Sequence, residues 1–237
     1  MIRTLKKFDK TILHVLMQTV GVAISIWAIV TMSTWQLLLG SIIMFYLYNF
    51  VGYVITYHRI LTHRVGKMHP IVEFICTGFA FFSTFVTPVV YVATHTNHHK
   101  YMDTEKDPHS PKHLGWKTLS AIFWVRGGDT KAIIRMKKNK IANFYDKHSF
   151  VLMFLPLLLL FWPKVFLFFW LIPSVITLWV QYMTTWGHNA DGPQKMGLLY
   201  GIISCGEHHH KWHHDHPNDT SGEGLVHYFV KALTYRT

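Results

Sequence analysis

Apolar positions in this chain arrive in long blocks separated by polar, histidine-rich stretches. The first block, Thr11 to Thr31, is broken only by His14 and Gln18. Its length predicts a membrane helix, because about 20 residues rising about 1.5 Å each cross a hydrocarbon core of about 30 Å. The basic opening MIRTLKKFDK would suit a signal peptide, but the apolar run is too long and lacks a small-x-small cleavage site. After the polar break MSTWQ, Leu37 to Tyr57 predicts a second span and runs straight into HRILTHRVGK, so the two form a hairpin.

Ile71 to Val92 is also apolar, with Glu73 near its start and Pro88 near its end. A last block, Phe150 to Trp186, is broken at Pro163 and Lys164 and is just long enough for two crossings. The spans expected are therefore residues 11–31, 37–57, 150–168 and 170–188, in one domain over residues 1–237. The predicted class is an all-α integral membrane protein, with four transmembrane helices in two hairpins, an interfacial helix at 71–92 and a cytoplasmic histidine-rich cap.

Composition agrees with that class, at 50% hydrophobic and 15% charged residues. Lys and Arg number 23 against 12 Asp and Glu, an excess that would suggest nucleic acid in a polar chain. Here 22 of those 23 fall in the N-terminus, in 59–147 or from Lys195 onward, which leaves Lys164 alone for the two turns on the far side. The positive-inside rule then puts the termini and the histidine-rich segments in the cytoplasm, with no role for nucleic acid. Cys76 and Cys205 read as incidental core thiols.

Histidine carries the chemistry: 18 residues, more than all the acidic ones together. Three clusters stand out, HRILTH with His58 and His63, HTNHHK with His95, His98 and His99, and HKWHHD with His210, His213 and His214. Two have the form H-x-x-H-H, which on an α-helix points three imidazoles at one spot and suits a metal. His58 and His63, five apart, share no α-helical face, so they need a helix end or separate metals. For the three clusters to share one site, Ile71 to Val92 cannot cross the membrane once; it must lie along the interface, re-enter or pack over the site. Imidazole suits iron, zinc and copper alike. A histidine-rich metal transporter is a competing reading, although transporters bind near the bilayer midplane whereas these clusters sit at span ends.

From His58 to Pro217 the sequence resembles the membrane-bound fatty acid desaturases, whose boxes run H-x4-H, H-x-x-H-H, H-x-x-H-H. HHKYMDTEKDPHSPKHLGW and GEHHHKWHHDHP are similar to delta-9 acyl-CoA desaturase-like members. The resemblance implies an oxidoreductase that uses O2 and two electrons from an external donor, ferredoxin or cytochrome b5, to place a cis double bond in a saturated acyl chain carried as acyl-CoA or acyl-lipid. It also implies two iron ions (Fe2+/Fe3+) held by His58, His63, His95, His98, His99, His188, His210, His213 and His214, with no catalytic residue beyond the metal centre. The remaining histidines, His109 among them, read as non-ligands. Asp107 and Glu207, with Asp103 and Asp215 behind them, are candidates to hold the imidazoles as one tautomer. Thr184 stands where the family has a water-holding Asn, and Ala93 and Thr94 stand where acyl-CoA members carry Arg-Asp. A di-iron hydroxylase of lipids shares these boxes and is the close alternative.

Overall fold

In a computed structural model, residues 11–187, 197–207 and 210–235 are described, and these are helical apart from loops and one antiparallel bridge between Lys67 and Tyr235. Helix α1 (Thr11–Met32) and helix α2 (Trp35–Thr62) are two apolar spans joined at Ser33 and Thr34, where the Thr34 hydroxyl accepts from Leu37 N–H and caps α2. The outer face of α1 exposes Ile26, Trp27 and Val30, and the start of α2 exposes Trp35, Leu39, Ile42 and Ile43. Apolar surface of that extent has to be covered by lipid or by another protein.

Helix α3 (Pro70–Thr84) begins at a His69–Pro70 step and helix α4 (Pro88–Tyr101) at a Thr87–Pro88 step, the first residue of each pair capping and the proline preset for the first turn. Between them Phe85 adopts φ 58°, and the two helix axes bend by 82°. At 15 residues α3 reaches only about 22 Å, short of a hydrocarbon core. The apolar segment 71–92 is therefore an elbow that returns α4, and the middle histidine cluster with it, toward the end of α2.

The backbones of α2 and α3 touch at Gly52: a Cβ there would lie 2.5 Å from Ala80 N. Small residues permit such contact between apolar helices, where van der Waals packing is the main attraction. Replacing Gly52 with Val is expected to cost about 1–3 kcal/mol through overpacking, measured as a lower midpoint of thermal unfolding in detergent.

Short helical turns at 111–123 lead to α5 (Thr130–Lys138) and α6 (Lys140–Lys147), capped by the side chains of Asp129 and Asn139. Helix α7 (Ser149–Phe161) is one α turn followed by a 3-10 stretch at Leu155–Phe161, and it bends 67° from α6. At about 1.5 Å per α residue and about 2.0 Å per 3-10 residue it extends only about 20 Å. Helix α8 (Pro163–Trp186) is a long apolar span that starts at Pro163. The expected arms 150–168 and 170–188 are thus redrawn. Proline at a first helical position starts a helix at no hydrogen-bond cost, so the break at Pro163 marks a beginning and the residues after it join the last span. Three helices are long and apolar enough to cross a membrane, or up to five if each bent pair counts as one.

Helices α9 (Gly197–Ile203), α10 (His210–Asp215) and α11 (Leu225–Leu233) complete the described residues. Asn49, deep in α2, donates to Cys205 Sγ at 3.2 Å and accepts from Gln181 of α8 at 2.7 Å, so this polar residue bridges helices.

Candidate metal centre

The end of α2 is wound more widely than an α-helix. His63 N–H donates to His58 O at 3.2 Å, and the hydroxyls of Thr56 and Thr62 reach back five residues to Val51 O and Tyr57 O. In such π-helical turns residues five apart stack, so the α-helical expectation of no shared face is corrected: the His58 and His63 rings lie 5.1 Å apart.

On α4, His95 and His99 turn toward that pair, and His213 of α10 closes the group. One ring nitrogen from each of His58, His63, His95, His99 and His213 lies within 4.8 Å of all the others. His58 Nε2 and His213 Nε2 are 2.8 Å apart, His95 Nε2 and His99 Nε2 3.0 Å, and His213 Nε2 and His99 Nε2 3.3 Å. His63 Nε2 is buried and has no partner among the described residues. A neutral imidazole offers one N–H at most, and a buried polar atom without a partner is costly. Five convergent nitrogens, one of them orphaned, therefore fit a shared cation of the kind imidazole binds. Burial, then the nearby Arg59, pushes His63 down to about 3, and burial followed by His98 pushes His214 to about 3. Both are neutral near pH 7, the state in which imidazole ligates metal.

A second group adjoins the first. His98 Nδ1 lies 3.0 Å from both carboxylate oxygens of Asp107, and His98, Asp107 and His109 form a further convergent donor set. With Nδ1–H given to a carboxylate, Nε2 is the atom left for a metal. His214 meets His98 edge-on at 5.2 Å and stacks on His99 at 4.2 Å, joining the two groups.

Carboxylates and one buried guanidinium brace the outer side. Arg59, 1% exposed, donates from Nε to Glu223 Oε2 at 2.6 Å, donates from Nη1 to His58 Nδ1, and lies 3.6 Å from Glu207 Oε1. Glu223 Oε1 is in turn 3.3 Å from His213 Nδ1, and Glu207 Oε1 is 3.4 Å from His58 Nδ1. Burial alone would raise the Glu207 carboxyl, but His58 and Arg59 outweigh it and hold it at about 2. For Glu223 burial prevails over Arg59 and the carboxyl is raised.

A cavity of about 1060 Å³ is lined by His58, His95 and Glu207, by Tyr53 and Tyr91, and by Phe150. Its volume is at the upper end for small-molecule sites, room for a long chain.

Over 113 residues, 48% of this chain, the sequence is 33% identical to the Delta-9 acyl-lipid desaturase 2 of Arabidopsis thaliana, and covers 35% of that protein. It is 25% identical to the Acyl-CoA Delta(11) desaturase of Trichoplusia ni over 229 residues, 86% of this chain and 65% of that protein. A third match, to the Icosanoyl-CoA 5-desaturase of Limnanthes douglasii, is 31% identical over 104 residues, 41% of this chain and 29% of that protein. This chain is a relative of the acyl desaturases. No family model matches it. The chain spans less than two thirds of the length of each of these three curated relatives.

Of the nine histidines that the desaturase resemblance singles out, seven are brought together in the two adjoining groups. His188 lies outside the described residues, and so does the side chain of His210. Asp107 and Glu207 do contact imidazoles of the boxes. Asp103 takes the Ser110 hydroxyl at 3.4 Å instead, and Asp215 is exposed. Thr184 lines the cavity and donates its hydroxyl to Val180 O at 2.7 Å.

Sequence reasoning misses Arg59, Glu223 and His109. Arg59 is legible in one respect: a cation between two buried histidines demands a carboxylate partner. Glu223, in the loop before α11, carries no local signal. His109, a non-ligand by its position outside the boxes, stacks on His98 at 4.6 Å and lies 4.8 Å from the Trp124 ring.

Proposed function

We propose that this chain is a membrane acyl desaturase, an oxidoreductase that introduces a cis double bond into a saturated fatty acyl chain. The observation that carries the reading is the convergence of five ring nitrogens, two of them on His58 and His95, which also line a cavity with room for an acyl chain. The names of its relatives, acyl-lipid and acyl-CoA desaturases, point the same way. An unactivated methylene has no acidic proton, so side-chain acid and base groups alone cannot remove its hydrogens. Two iron ions held by the nine histidines would supply dioxygen activation.

The balance is complete with an external donor. Two electrons and two protons leave the CH2–CH2 pair, two electrons come from the carrier and two protons from solvent, and one O2 becomes two waters. This chain's own residues hold a ligating imidazole in one tautomer through Asp107 on His98, while Glu223 lies 3.3 Å from His213 Nδ1. The cavity walls around Tyr53 and Tyr91 exclude water and keep the chain in register. A delta-9-type position is favoured by the box text, on an acyl-lipid or acyl-CoA. The metal end and both termini face the cytoplasm in this reading, with four spans in two hairpins, and the Thr184 hydroxyl takes the role of the family's water-holding Asn.

Lipid analysis tests this in a host lacking unsaturated fatty acids. Expression of the chain is expected to give new double bonds in the host's acyl chains. Purified protein stripped with a chelator is expected to lose that activity and regain it with Fe2+ but not Zn2+. An inserted hydroxyl without a double bond would overturn desaturation in favour of a hydroxylase.

A further inference from the structure

The segment 115–127, which leads from the loop after α4 to α5, has two unlike sides. Ala121, Trp124 and Arg126 line the cavity of about 1060 Å³, and the Trp124 ring lies 4.8 Å from that of His109, which lines it too. Ile122, Phe123 and Val125, interleaved with them, are exposed, and so is Trp116. A single run of chain thus presents one side to the cavity and the other to the surroundings. It turns at each end on a glycine with positive φ, 56° at Gly115 and 141° at Gly127, conformations that glycine adopts freely.

Contacts with two membrane-length helices set the depth of this wall. Gln18, one of the two polar residues that interrupt the first apolar block, donates from Nε2 to Leu119 O at 2.9 Å. It lies about 10 Å along α1 from Thr11, well inside the apolar stretch. Ala121 and Trp124 pack against a buried cluster made of Met17 of α1 with Leu178 and Tyr182 of α8. Over the same length of α1, Ile12, Leu16 and Val20 are exposed, so this is a level at which the chain turns apolar side chains outward. Lys117 and Lys112 are exposed beside the apolar residues, and Lys117 Nζ lies 5.8 Å from the Phe123 ring. Tryptophan beside lysine suits the lipid headgroup level, where the lysine stem lies on apolar ground and its ammonium reaches outward.

We propose that segment 115–127 rests in the lipid leaflet as a side wall of the acyl cavity, and that the acyl chain enters across it from the bilayer. The substrate is then a chain already esterified in a membrane lipid. The inference rests on the desaturase reading, which makes the cavity an acyl site. The wall is tied to its neighbours by the Gln18 bond and by Val125 N–H, which donates to Pro108 O at 2.8 Å. With those bonds released, a turn about the two glycine ends opens the cavity sideways to lipid.

The test uses the full chain in phosphatidylcholine vesicles, with an NBD fluorophore on single introduced thiols, the native Cys76 and Cys205 being buried. Labels on Trp116→Cys and Phe123→Cys are expected to be quenched by doxyl-labelled lipid and shielded from iodide, like a label on Trp27→Cys at the outer face of α1. A label on Glu105→Cys, exposed in the loop after α4, is expected to respond to iodide alone. Iodide quenching at 116 and 123 as strong as at 105 would overturn the proposal. Entry is read with a phosphatidylcholine whose acyl chain ends in a diazirine. Irradiation is expected to crosslink it to Trp124 or Phe150 in the wild type. Ile122→Glu with Phe123→Glu is expected to cut that yield about tenfold, because charge is costly in lipid. Ile134→Glu, at an exposed apolar position of α5 outside the cavity, is expected to leave it unchanged, and thermal unfolding checks that each variant is folded. Equal yields in the wild type and the wall variant, or labelling of the cavity by a diazirine acyl-CoA but not by the lipid, would sink the entry route. Analysis of the vesicle lipids, with an external electron donor supplied, separates the two readings. Crosslinks without new double bonds in the wild type count against desaturation and leave the route standing, whereas double bonds without crosslinks remove the route alone.

Discussion

Replacing Arg59 with glutamine is expected to destabilise the protein by about 3–5 kcal/mol, the usual cost of removing one partner from a buried ion pair, and to empty the metal centre. Arg59 is the cation between Glu207 and Glu223, and all three are buried. Without it two buried carboxylates stand with only histidines to face, and Glu223, already raised by burial, loses the cation that lowers it. Glu223 Oε1 lies 3.3 Å from His213 Nδ1, so a shift of this carboxylate is expected to disturb one of the convergent imidazoles as well. Arg59→Lys is expected to rescue little, since an ammonium is a point charge and cannot span His58, Glu207 and Glu223 with a planar fork. Thermal unfolding and metal analysis of purified protein measure both effects. An Arg59→Gln protein with wild-type metal content would show that the guanidinium does not hold this site.

Asp107→Asn is expected to weaken metal binding about 10- to 100-fold, the range found when a carboxylate behind a ligating histidine is removed. Asp107 fixes His98 by accepting from its Nδ1, and it also accepts the backbone N–H groups of Asp103 and His109, each at 3.1 Å. An amide keeps the shape but can present N–H toward His98, favouring the tautomer with its proton on the ligating side. His98→Ala, which removes the donor outright, is expected to abolish product formation and lower metal stoichiometry. Asp103→Asn is the control, because that carboxylate takes the Ser110 hydroxyl and no box histidine. Metal titration of the three variants decides the point: equal losses for Asp103→Asn and Asp107→Asn would mean that the loop, and not the carboxylate on His98, controls affinity.

Both predictions concern groups that sequence reasoning reaches to different degrees. Asp107 is legible because it follows the second box within a recognisable stretch. Glu223 is not, because its partner His213 and its cation Arg59 come from other segments, and no local pattern records a contact made across 164 positions. The His58–His63 pair departs from expectation for a geometric reason. Helical periodicity is read as α by default, whereas the end of α2 is wound with five-residue hydrogen bonds that change which positions stack.

What the sequence determined alone was the class and the inventory. Long apolar blocks point to a membrane protein, and three histidine clusters at the polar ends of those blocks offer metal-ligating side chains, because both properties are local in composition and spacing. The demand that segment 71–92 not cross once was also legible, since three clusters can share a site only on one side. Tertiary structure decided the shape of that segment, an 82° bend at Phe85, and it put Pro163 at the start of the last span, where the sequence pattern alone places it inside an arm of 150–168. It alone paired Arg59 with Glu223. Such choices depend on the energy of burying charge and on the directions in which side chains leave the backbone, and neither is fixed until distant segments meet.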